Sequence, residues 1–303
     1  AVFSYWIPIT IFAAFMQNLR SALQKYIKGH LSTGGAAYVR FIYALPLALI
    51  LLGTLVTQFD YELPGINMRF LVFCLLGSVS QILFTFILLY LFSLRNFAVG
   101  TTFSKTEILQ IAILGLILLG DTVSLAGTGA IVVGMTGVVV LSMAQTSVTW
   151  ANLATSLFEK STLVGLVCGA FLGASVVFFR GATLALEDGD VLIRAAFSLT
   201  MALVMQTVMM GIYLLLREPG QMREVFRHWR PAGAVGLAGF LGSIGWFTAF
   251  TLQNAAYVRA VGQIELIFTF IASIVFFKEK TSRMELAGIA LILVAIVSIM
   301  LTG

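Results

Sequence analysis

The chain has 303 residues, 60% of them hydrophobic and only 10% charged, with a mean hydropathy of +1.02, whereas soluble domains carry about 25% charged residues. That composition excludes a water-soluble fold, and the net charge of +5 speaks to membrane topology, through the placement of its cations, rather than to nucleic acid. At about 20 apolar residues per bilayer crossing, the length accommodates roughly ten helices and no separate soluble domain.

In chain order the apolar runs fall at about 3–25, 36–57, 69–93, 96–119, 122–144, 161–185, 191–216, 232–253, 255–277 and 284–302, each read by the spanning criterion. Stretches such as 289–300 are apolar on every side, which excludes the alternating strands of a membrane β-barrel and predicts an all-α membrane protein. Gln17, Asn18 and Arg20 interrupt the first run and no small-residue cleavage site follows, so it is expected as a first mature helix rather than a signal peptide. Cys74 and Cys168 lie singly inside apolar runs, which predicts packing roles and no disulfide or metal site.

If the runs alternate across the bilayer, one side collects Arg20, Lys25, Lys28, Arg40, Arg95, Lys160, Arg217, Arg223, Arg227, Arg230, Lys278, Lys280 and Arg283. The other collects Arg69, Arg180, Arg194 and Arg259 with Asp60, Glu62, Asp121, Glu187, Asp188 and Asp190. Because cytoplasmic loops are enriched in Lys and Arg, the odd-numbered loops are expected in the cytoplasm and both termini outside.

Laying Asn96 on Asn254 also lays Glu107 on Glu265, Asp121 on Glu279 and Ser124 on Ser282, and small gaps bring Arg40 onto Arg194. An internal repeat of five runs per half follows. An odd number of crossings per half makes the second half enter from the opposite side, the inverted repeat of many transporters, whose substrate site lies near the midplane.

The end of each half carries a recognisable pattern: 111–120, Asp121 and then a Gly-rich run to Met143, and 267–277, Lys278-Glu279-Lys280 and then Leu286-Ala287-Gly288-Ile289-Ala290-Leu291. Here the sequence resembles the drug/metabolite transporter superfamily, and specifically its EamA-type ten-helix members. The resemblance implies two five-helix EamA-like repeats at 1–145 and 160–303. It also implies an inner (plasma) membrane location and a cargo among amino acids, nucleotide-related compounds, sugar phosphates or drugs. Family members usually carry Pro where the fourth and ninth helices cross the core. Thr106-Glu107 and Ile264-Glu265 stand there instead, which predicts that the usual kink is absent.

Glu107 falls about 11 residues into a run of roughly 23, hence about 16 Å from the helix end and near the midplane, and Glu265 has the same depth. An ionised carboxylate facing lipid there costs at least about 2.5–3.5 kcal/mol, so both acids are expected to face a cavity or a partner. They either exchange a proton, hold a substrate ammonium, or hydrogen-bond a neighbouring helix. Phe103, Glu107 and Gln110 share one face by spacing, as do Gly262, Glu265 and Thr269, with Arg259 and Gln263 on an adjacent one. Lys105, two positions from Glu107, cannot meet it on a helix surface and either snorkels or contacts an anion.

Arg40 and Arg194 are expected at the starts of their helices, as headgroup anchors or as bidentate binders of a substrate carboxylate or phosphate. Gln17, Arg20 and Gln24 follow one face of the first run, as cavity lining or helix pairing, and Trp246 is deep enough to stack on a substrate. Gly165, Gly169 and Gly173 make consecutive small-xxx-small steps. Gly233, Gly236, Gly239, Gly242 and Gly245 recur every third residue and should touch several neighbours, and Ser282 with Glu285 reads as a capping box.

No G-x-x-x-x-G-K-[ST] motif supports a primary pump, and His30 and His228, both in basic-side loops without a flanking acidic pair, do not make an enzyme site. The expectation is a secondary active transporter exporting amino acids or related small polar metabolites, as monomer or homodimer, with protons as the candidate coupling ion and no cofactor. The alternatives are a passive channel or a drug/cation efflux protein, and beyond them an integral membrane enzyme.

Overall fold

The structure, a computed structural model, describes residues 4–92, 94, 97–278 and 280–302. The chain runs through α1 (Trp6–Ile27), α2 (Thr33–Ile42), α3 (Leu45–Gln58), α4 (Met68–Phe92), α5 (Phe97–Ser104), α6 (Glu107–Leu119), α7 (Leu125–Thr146), α8 (Trp150–Thr155), α9 (Lys160–Ala185), α10 (Val191–Arg217), α11 (Pro219–Arg227), α12 (Trp229–Leu252), α13 (Ala255–Gly262), α14 (Ile264–Phe277) and α15 (Arg283–Thr302). No strand occurs among the described residues.

Among the described residues eight helical stretches, with α2 and α3 counted as one and the end of α5 counted with α6, are long and apolar enough to cross a membrane, and large apolar side chains such as Ile50, Ile117 and Leu301 stand exposed on them. Such exposure is stable in lipid and untenable in water; the chain is a multi-pass membrane protein. The first and ninth apolar runs are not among the eight. Gln17, Asn18, Arg20 and Gln24 dilute α1, and the ninth run is split between α13 and α14, each shorter than a crossing.

The chain forms two compact units, Ala1–Val79 with Phe178–Leu252 and Ser80–Val177 with Gln253–Gly303, so α4 and α9 contribute to both. In the first unit α1 packs along α12, while α10 packs on α2, α3 and α12. Leu55, Ile193 and Ala196 form an apolar core there. The α12 glycines do touch several neighbours: Gly236 lies against Tyr43, Gly239 against Arg20 and Arg40, and Gly242 and Gly245 against α1, with only open space beside Gly233. Pro46 sits in the first turn of α3, where a missing N–H costs no hydrogen bond, and the second run is accordingly two helices. The segment after α10, expected as a loop, folds into α11.

In the second unit α7 and α15 pack along their length. They meet through backbone: a Cβ on Gly137 would stand 2.8 Å from the Gly288 carbonyl oxygen. α13 packs on α6, α7 and α15 with all eight residues buried. The Ser282–Glu285 capping box is present, the Ser282 N–H donating to Glu285 and the Glu285 N–H to the Ser282 hydroxyl. The repeat landmarks Asn96 and Glu279, and Arg95, lie outside the described residues.

Candidate functional site

The fourth and ninth runs are both broken, against the expectation of straight helices, and both breaks form without proline. Between α5 and α6 the Lys105 and Thr106 N–H groups bond back three residues, to Thr102 and Phe103, and the Thr106 hydroxyl also donates to the Phe103 carbonyl. A Ser/Thr hydroxyl competing for a helix carbonyl bends the chain. Between α13 and α14 the Gln263 amide donates to the Arg259 carbonyl at 3.1 Å, satisfying an acceptor that the interruption would otherwise expose. Gln263 is buried in this capping position.

Each break sets an acid in the first turn of the helix that follows: Glu107 opens α6 and Glu265 opens α14. Arg259, buried on α13, donates from Nη2 to Glu107 Oε1 at 2.7 Å. Both side chains are almost wholly enclosed, so this is a charge-assisted bond in a low dielectric. Glu265 also acts electrostatically on Arg259 and is only half-buried. Arg180, grouped by sequence with Arg259 on one membrane side, lies inside α9 and donates to the Phe250 carbonyl. Spacing grouped Arg259 with Gln263 on one face but gave no sign of its pairing with Glu107.

The breaks also rearrange the expected faces. Phe103 ends up in the apolar cluster of Val99, Met143 and Val148 rather than beside Glu107. Gly262 stays in α13, apart from Glu265 and Thr269, whose hydroxyl donates to the Glu265 carbonyl. Gln110 donates weakly to the Leu166 carbonyl at 3.4 Å, while its Oε1 is buried with no hydrogen-bond partner among the described residues. Lys105 and Glu107 both lie within electrostatic reach of buried Cys168.

The wall behind α5 and α6 is α9, and glycine lets it come close. A Cβ on Gly165 would stand 2.0 Å from the Gly100 carbonyl oxygen, one on Gly169 2.9 Å from that of Ser104, and one on Gly173 3.1 Å from Ile111. The small-xxx-small stripe thus seats directly on the broken helix. A cleft of about 510 Å³ in the same unit is lined by Gln145, Thr269, Ile274, Lys280, Ser282 and Glu285. Thr269 places it one helical turn beyond Glu265.

The remaining candidates belong to the first unit. Arg40 is in the last turn of α2 rather than at a helix start, because α2 begins at Thr33 and ends at Ile42. Arg194 does lie in the first turn of α10. Arg20 and Arg40 converge on Gly239, where a Cβ would stand 3.2 Å from Arg20 Cδ and 3.9 Å from Arg40 Cγ. On the same face of α1, Gln24 donates to the Ala36 carbonyl of α2, and the Gln17 backbone meets Gly242. Trp246 is buried and stacks on Phe250 with centroids 5.7 Å apart.

Compared with known proteins, residues 160–301 match the EamA-like transporter family. A protein solved by crystallography is similar over 98% of this chain and 96% of its own, with a TM-score of 0.69 at 14% identity, a likeness of fold. No curated protein matches the chain in sequence.

Proposed function

We propose that this chain, which carries an EamA-like transporter family domain over residues 160–301, is a secondary transporter that exports amino acids or related small polar metabolites across the inner (plasma) membrane. The observation that carries the reading is the buried Glu107–Arg259 pair seated at a helix break. Broken spans with charged side chains at their interruptions are the usual ground for cargo and ion sites in inverted-repeat transporters.

The repeat itself, 1–145 on 160–303 with ten crossings, is supported by how the compact units are composed. In the register that lays Asn96 on Asn254, α2 and α3 correspond to α10, all within one unit, and α5 to α7 correspond to α13 to α15, all within the other. In this reading the odd-numbered loops are cytoplasmic. Glu265 exchanges a proton or contacts an ammonium, Gln110 accepts from an ammonium, and Lys105 contacts an anion. Gln263 holds the break open in the second unit; within the first unit Arg20 and Arg40 draw a carboxylate, with Gln17, Arg194 and Trp246 as further cargo-contacting candidates.

Counterflow in proteoliposomes with a panel of labelled amino acids tests this. The unmodified chain should exchange at least one of them and accumulate it under an imposed proton gradient, which a passive channel cannot do. Glu265→Gln and Arg40→Gln should each cut exchange about tenfold or more, the loss of one charged hydrogen bond at about 1.5–3 kcal/mol. Undiminished exchange in both variants would remove the proposed site.

A further inference from the structure

α11 is tied at both ends to helices that cross the membrane, α10 ending at Arg217 and α12 starting at Trp229. It can therefore lie only at the bilayer surface. One side of it faces protein. Gln221 accepts from the Ser32 N–H at 2.9 Å, Glu218 accepts from the Ser32 hydroxyl, Val225 is fully buried, and the Val225 carbonyl accepts from the Tyr43 hydroxyl at 2.9 Å. These bonds clasp α11 to both ends of α2.

The opposite side is basic and aromatic. Arg223 and Arg227 share a face by their i, i+4 spacing, and Arg217 and Arg230 flank them; all four are exposed. Phe226 is 53% and Trp229 60% exposed, and the Arg230 guanidinium lies 5.3 Å over the Trp229 ring. The segment has two acids: Glu218 is taken by Ser32, and Glu224, partly exposed, pairs with the outward Arg227 at 3.5 Å and with His228 at 3.6 Å, which leaves the face with more cations than acids. What remains is a patch of cations interleaved with interfacial aromatics at the level of lipid headgroups. We propose that this face of α11 is a binding site for anionic phospholipid headgroups, which hold α11 and, through the Ser32 and Tyr43 clasps, α2 in place. The occupant is lipid rather than a soluble anion because the aromatics that separate the arginines bury in the acyl boundary.

The test is thermal unfolding of the purified full-length chain in neutral detergent, titrated with short-chain phosphatidylglycerol or phosphatidylcholine. Phosphatidylglycerol should raise the midpoint saturably and phosphatidylcholine should not, and added salt should weaken the effect. Replacing Arg223, Arg227 and Arg230 together by Gln should weaken apparent affinity about 100-fold, at about fivefold per cation, the equivalent of about 1 kcal/mol each. Replacing all three by Lys should keep most of it. Equal shifts from the two lipids, an undiminished shift in the Gln variant, or an equal shift from soluble glycerol 3-phosphate would each overturn the proposal. Should the Gln variant fail to fold, the Lys variant still decides: a phosphatidylglycerol shift insensitive to salt would refute it.

Discussion

Glu107 and Glu265 open corresponding half-helices, yet their surroundings differ. Glu107 is enclosed, gripped by Arg259 and backed by the glycine stripe of α9. Glu265 heads α14, a helix with several exposed apolar residues, Ile271 and Val275 among them, and the cleft beside Thr269 begins one turn away. The sequence register that lays Glu107 on Glu265 also lays Thr101 on Arg259, so no second arginine stands in that register. The two acids thus differ in exposure, Glu107 enclosed with its cation and Glu265 half-buried beside a cleft.

The largest way to break that contrast is Arg259→Gln, which leaves Glu107 buried without its cation. It should cost about 3–5 kcal/mol of stability, read by denaturant or thermal unfolding in detergent. Adding Glu107→Gln should recover most of the loss, because two neutral amides can pair. Gly165→Ala presses α9 off α5, since its Cβ would overlap the Gly100 carbonyl, and should cost about 1–3 kcal/mol in the same assay. Gln263→Leu strips the Arg259 carbonyl of its side-chain donor, with an expected loss of about 1–3 kcal/mol. Glu265→Gln is the mildest for folding, within about 1 kcal/mol, while exchange in proteoliposomes falls. A Glu265→Gln protein as unstable as Arg259→Gln would erase the distinction between the two acids.

The all-helical membrane class was legible because the apolar runs are long, and eight stretches among the described residues are helices long and apolar enough to cross; the first and ninth runs are not among them. The breaks were not legible. No Pro marks either break, a single Gly262 beside Gln263 is a weak signal in a chain with 28 glycines, and the interruptions rest on a hydroxyl and an amide bonding backbone carbonyls. The partner of Glu107 was hidden for a different reason: Arg259 lies 152 positions away, and near the start of its run it reads as a boundary charge. Likewise α11 reads as a basic connection, because nine residues are too few for periodicity to separate a surface helix from a loop.

The same 152-residue separation has a consequence for how the protein is made. At a synthesis rate of about 5–20 residues per second, the ribosome needs roughly 8–30 s after placing Glu107 to deliver Arg259. Throughout that interval a nascent chain holds Glu107, an acid within an apolar run, without its counter-ion. Truncation products ending before Arg259 should therefore be poor membrane residents, cleared by proteolysis faster than the full-length chain.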